Sequence, residues 1–173
     1  EEFVLAFGNF VPKKEPLDKY LSRGINFITL NAAYSSAPQT SFGLTYGRVK
    51  RVGWYVSAMS GLDFTGFNTI DESYEEVILT GETASTRLSV MGGFITRIGG
   101  PVYFKVGAGY GMRMKVCETI SGEYVEYKPD TFKGVDLGAG LQFNLRNITF
   151  GVDAVTTNFK YAEVRLGIGV NWN

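Results

Sequence analysis

The stretch VYFKVGAGYGMRMKV, residues Val102 to Val116, alternates without a break. Val102, Phe104, Val106, Ala108, Tyr110, Met112, Met114 and Val116 share one parity, while Tyr103, Lys105, Gly107, Gly109, Gly111, Arg113 and Lys115 share the other. Successive side chains of a β-strand point to opposite faces, so a period of two places every charge of this segment on one face and nearly all its bulk on the other. The pattern predicts a long strand with one apolar face and one face that is polar or very small.

Working outward, the same division recurs. Val135, Leu137, Ala139, Leu141, Phe143 and Leu145 oppose Gly134, Asp136, Gly138, Gly140, Gln142 and Asn144. Ile148, Phe150, Val152 and Ala154 oppose Thr149, Gly151 and Asp153, and Ala162 to Trp172 opposes Glu163, Arg165, Gly167, Gly169 and Asn171. Ile28 to Tyr34, Phe42 to Tyr46, Val52 to Ala58 and Leu88 to Phe94 fit the same rhythm, which predicts about eight strands. Twenty-two glycines, ten tyrosines and thirteen phenylalanines against five prolines agree with an all-β chain.

Connection lengths sort by rim. Those at Lys50-Arg51, Gly99-Gly100 and Arg146-Asn147 are tight, whereas those at 60–82 and 117–131 are long and polar. Alternate short turns and long loops are the asymmetry of an up-and-down membrane barrel, with the short turns and both termini periplasmic for an even strand count. The expected architecture is therefore a closed antiparallel up-and-down transmembrane β-barrel over residues 24–173. Residues 1–23, with Phe3, Val4, Leu5, Phe7, Pro12 and Pro16, are expected to form a periplasmic lead-in. No run of about 18 apolar residues occurs, which excludes a transmembrane helix and leaves a strand-built crossing open. Without an initiator methionine or a leader, the chain reads as processed or as an excised domain.

Alternation alone leaves open which face points inward, since a lipocalin-like cup would use the opposite arrangement. Volume favours the glycine-rich face, because an eight-stranded interior is just wide enough for side chains and a lining of Phe, Tyr, Trp, Leu and Met would overfill it. Tyr46, Trp54, Phe94, Phe104, Phe143, Phe150 and Trp172 then face lipid near the tight turns as a candidate aromatic belt. Arg87, Arg113, Asp136 and Glu163 point inward at similar counts from the turns, with Lys105, Asp153 and Arg165 nearer the turn end. Buried charges are tolerated only when paired, so these seven residues are the candidate ionic network of the lumen. A gated ion path is the competing reading of the same set. If Arg113 is a network member, replacing it by Leu destabilises the fold.

Seventeen basic residues balance seventeen acidic ones, so no overall positive excess is available for nucleic acid or for an anionic membrane surface. The chain has no histidine, the general base of enzymatic outer-membrane barrels, and no nucleophile, base and orienter can be assembled. No catalytic residue, metal site or cofactor is expected. Asp71, Glu72, Glu75 and Glu76 lack the ligand and glycine spacing of a calcium loop, and Cys117 has no neighbour to activate it.

With barrel, loops and inward charges placed, the chain resembles the small OmpA/OmpX class of eight-stranded outer-membrane proteins over about residues 24 to 173. TSFGLTYGRVKRVGWYVSAMSG (Thr40 to Gly61), VYFKVGAGYG (Val102 to Gly111) and TTNFKYAEVRLGIGVNW (Thr156 to Trp172) are similar to barrel modules at the C-termini of Bacteroidetes envelope proteins. The resemblance implies a barrel in the Gram-negative cell outer membrane that anchors something. Outer-membrane lipid is the expected partner, with a periplasmic domain or another envelope protein beside it, and no nucleic acid. A narrow channel or a ligand-binding barrel is the alternative.

Overall fold

In the computed structural model, the residues described are 17–36, 40–61, 69–70, 79–120 and 122–173. The lead-in residues 1–16 and the acidic stretch at Asp71 to Glu76 lie outside them. A six-residue helix, α1 (Leu17–Ser22), precedes ten strands: β1 (Ile25–Ser35), β2 (Thr40–Val49), β3 (Val52–Gly61), β4 (Thr69–Ile70), β5 (Leu79–Gly99), β6 (Val102–Thr119), β7 (Tyr124–Glu126), β8 (Phe132–Leu145), β9 (Ile148–Thr157) and β10 (Tyr161–Trp172).

Eight of these close a ring. Neighbours pair antiparallel in the order β1, β2, β3, β5, β6, β8, β9, β10, and β10 returns to β1 from Asn26 opposite Trp172 to Ser35 opposite Glu163. Closure satisfies both edges of every strand along the shared span, which a lipid environment demands because it offers no water to unpaired amides. The two-residue connections Lys50-Arg51, Gly100-Pro101 and Arg146-Asn147 share a rim with both ends of the barrel sheet, the turn rim. On the opposite loop rim, β5 and β6 run for 21 and 18 residues, well past the roughly 9–11 that cross a bilayer. They carry β7 antiparallel on β6 and β4 parallel on β7, so part of each predicted long loop is sheet.

Along the closed ring the apolar parity points outward; Val116, near the loop end of β6, shares that parity but is fully buried. Leu30, Val90, Val106, Val135, Val152, Leu166 and Ile168 are exposed, a surface that is stable only against hydrocarbon. The inward parity is crowded. A Cβ at Gly107 would sit 2.4 Å from the Tyr55 hydroxyl, and one at Gly47 would sit 2.6 Å from Phe27 Cζ. The glycine-rich face therefore makes room for large inward residues of neighbouring strands.

The interior is not uniformly polar. At the turn rim, Ile25, Phe27, Val49, Tyr55, Ile95 and Tyr103 form an apolar cluster, and Leu21 of α1 is fully buried among them. Gly24, with φ +90°, ends the helix through its amide to the Leu21 carbonyl (3.3 Å) and turns the chain into β1. Packing thus runs across the expected boundary between residues 23 and 24.

Candidate functional site

The lumen is built in layers by strand register. Above the apolar cluster, Lys105 Nζ lies 2.8 Å from Asp153 Oδ2, and this pair stands apart from the other charges. The next layer brings together Arg87, Asp136, Glu163 and Arg165 from β5, β8 and β10. Arg87 donates from Nη2 to Asp136 Oδ2 at 3.0 Å and from Nε to Glu163 Oε2 at 3.3 Å. Arg165 donates from Nε to Glu163 Oε1 at 2.6 Å and from Nη2 to Ser89 Oγ at 2.9 Å. Asp136, fully buried, also accepts from the Ser89 and Thr157 hydroxyls.

This arrangement meets the condition under which buried charge is tolerable. Each carboxylate receives several donors, and Arg87 Nη2 finds a further acceptor in Thr157 Oγ1 at 3.2 Å. Gly111 keeps the space open: a Cβ there would lie 2.3 Å from Asp136 Oδ1 and 2.4 Å from Arg87 Nη1. The gap between the two charged layers, lined by Tyr55, Ser57, Met91, Asp153, Val155 and Arg165, measures about 10 Å³. That volume holds about one water molecule at most.

Arg113 departs from the expected network. It is buried, yet it has no ion pair among the described residues, and its Nε has no hydrogen-bond acceptor. Its guanidinium carbon lies 5.4 Å from the centre of the Tyr161 ring, which Arg87 also approaches at 5.3 Å. The stagger that closes a barrel is the cause: Asp136 stands opposite Gly109 of β6, and Arg113 is opposite Phe132. Equal counts from the turns do not give equal heights on different strands.

The seven predicted belt aromatics all lie on the outward face and are exposed. Trp54 pairs in register with Phe94 and Phe143 with Phe150, and the rings of Tyr46 and Trp54 meet edge to face at 5.8 Å. The apolar cluster around Leu21 is what the sequence reading missed. Its only signal was the inward parity of Phe27, Val49 and Ile95 at strand ends beside the turns.

Loop-rim geometry is also defined. Lys115 Nζ holds Asp130 Oδ2 at 2.9 Å, tying the short 3-10 turn Lys128–Asp130 to β6, and this hydrogen bond draws the Asp130 carboxyl below its ordinary pKa. Asn158 and Phe159 in the β9–β10 connection both take positive φ, and Phe159 is 81% exposed. Among the described residues, no three Asp, Glu or Cys side chains are grouped as metal ligands.

No family model and no curated relative matches the chain. Solved structures do. Ail, the attachment invasion locus protein of Yersinia pestis, in complex with the heparin analogue sucrose octasulfate, superposes with a TM-score of 0.66 at 20% identity over 86% of this chain and 99% of its own. Ail in a phospholipid bilayer nanodisc gives 0.56 at the same identity and coverage. The chain has the fold of the small eight-stranded outer-membrane β-barrels.

Proposed function

We propose that this chain is a non-enzymatic barrel of the Gram-negative outer membrane that serves as a membrane anchor or structural subunit of an envelope complex. Its termini and tight turns are periplasmic, its lumen is closed, and its loop rim is available for recognition. The observation that supports the reading is the layered packing of side chains across the lumen. A fully paired layer at Arg87, Asp136, Glu163 and Arg165 overlies the Lys105–Asp153 pair and an apolar layer closed by Leu21. Such a barrel holds a position in the membrane without passing solute.

Recognition would fall to the projecting part of β5 and β6 and to the tip at Phe159. A bulky residue held at positive φ with its ring in solvent is costly and gains nothing from packing, as at many contact sites. The polyanion seen on Ail is a poor match for this rim. Residues 62–82, 115–133 and 158–160 carry ten Asp and Glu against four Lys.

Planar-bilayer recording of the folded chain tests the closed lumen, and absence of steady conductance is the expected result. A steady conductance altered by Arg87→Gln would favour the channel reading instead. Orientation is tested in a Cys117→Ser background: Phe159→Cys should label with an impermeant maleimide on intact cells, and Arg146→Cys should not.

A further inference from the structure

The chain is neutral overall, but seven of its seventeen basic residues gather at one rim. Arg48, Lys50, Arg51, Arg97 and Arg146 all belong to the turn rim, and Lys19 and Arg23 join them from α1 and its end. Asp18 is the one acidic residue in sequence among those segments, which leaves an excess of six positive charges over the described residues of this rim.

The cations sit where a membrane interface would be. Along the outward face of β2, Phe42 and Leu44 give way to Tyr46 and then Arg48, whose cross-strand partner is the belt residue Trp54. Hydrocarbon-facing residues, aromatic rings and then a cation follow the order of acyl chain, glycerol region and headgroup. Beyond Arg48 the Lys50-Arg51 turn lies beside the Gly100-Pro101 turn. Arg97 joins the two: its amide donates to the Arg51 carbonyl at 2.8 Å and its Nε to the Gly100 carbonyl at 2.7 Å. Between the turns is an open pocket of about 500 Å³ lined by Lys50, Arg51, Arg97 and Ser22.

We propose that this pocket and the surrounding basic collar bind the phosphate of anionic phospholipid headgroups in the leaflet beside the turn rim. The inference rests on the membrane-spanning reading above. Lys50 and Arg51 are exposed on a turn of fixed shape, so a phosphate oxygen can approach both without desolvating a buried group. A headgroup whose phosphate has no cation of its own, such as phosphatidylglycerol, meets the Lys50-Arg51 pair with its full negative charge. Phosphatidylcholine, with its choline, meets it less well. The attraction acts within a Debye length, about 8 Å at physiological ionic strength, which is the reach of a side chain.

The two tryptophans, Trp54 and Trp172, both lie on the outward face at this rim and report directly on adjacent lipid. The full chain is reconstituted in phosphatidylcholine vesicles containing either brominated phosphatidylglycerol or brominated phosphatidylcholine at equal mole fraction. Tryptophan quenching by the brominated phosphatidylglycerol should exceed that by the choline lipid. The excess should be lost at high salt and in the Lys50→Gln/Arg51→Gln variant, checked for folding by its gel shift on heating. Should that variant fail to fold, the salt series on the unaltered chain decides. Equal quenching by the two lipids, or an excess insensitive to both salt and substitution, overturns the proposal while leaving the barrel intact. Inorganic phosphate, titrated at constant ionic strength, separates the two sources. An excess that persists assigns the site to lipid, and one that phosphate abolishes overturns the lipid assignment in favour of a free-phosphate site. A chain that neither shifts on the gel nor inserts overturns both this inference and the reading beneath it.

Discussion

Arg87 and Asp136 face each other across the lumen from β5 and β8, 3.0 Å apart between Nη2 and Oδ2, with both side chains wholly removed from solvent. Removing one partner of such a pair leaves the other as an uncompensated buried charge, which costs about 3–5 kcal/mol. Arg87→Leu should therefore lower unfolding stability in detergent by that order. Arg113→Leu should be near neutral or stabilising, because its guanidinium has no carboxylate partner to orphan among the described residues. Equal losses for the two variants in urea titrations would contradict the difference in their surroundings.

Gly111 offers a second test, since it occupies the only inward position of β6 whose missing Cβ is claimed by the Arg87–Asp136 pair. Gly111→Ala should cost about 1–3 kcal/mol through overpacking. Gly99→Ala, where a Cβ meets nothing within 4 Å, should be close to neutral. Heat-modified gel migration against temperature distinguishes the two variants.

Leu21 lies before the first strand yet belongs to the core, fully buried with Phe27, Tyr103 and their neighbours. Leu21→Ala should destabilise the barrel by about 2–5 kcal/mol, as for other buried leucines. Unchanged stability would mean that α1 is a passive lead-in. Hydrogen exchange at the amides of Ile25 and Phe27 should accelerate in the variant, because their side chains would lose cover on the turn-rim side.

Much of this was legible in the chain. Unbroken alternation from Val102 to Val116 identified the outward face, and the turns after Val49, Gly99 and Leu145 identified the rim. Charge pairing was only partly legible. Parity shows that Arg113 points inward, but its height relative to Asp136 depends on strand stagger, which no single strand encodes. The role of Leu21 was hidden because one apolar residue on a six-residue helix makes no periodic pattern. The extension of β5 back to Leu79 was masked by the register shift between Leu79 and Thr83, with Gly81 at φ +88° inside it. The basic collar was concealed by a net charge of zero, since composition cannot show that basic residues gather at one rim.

The Lys115–Asp130 contact makes the loop rim sensitive to acid. The Lys115 hydrogen bond stabilises the charged carboxylate, so the folded pKa of Asp130 lies below its unfolded value. The sign follows: the contact contributes fully above the unfolded carboxylate pKa and is lost as pH falls through the lowered folded value. Asp130 is partly exposed, so solvent screens the contact and the effect should be local rather than global. Amide exchange corrected for intrinsic rate should rise at Asp130 and Thr131 as the solution is acidified through the carboxylate range, while Arg87 and Asp136 stay protected. Asp130→Asn should show the faster exchange already at neutral pH. A variant with unchanged exchange would place the ordering of that turn on the Thr131 hydroxyl, which bridges Lys115 and Tyr127, instead of on the ion pair.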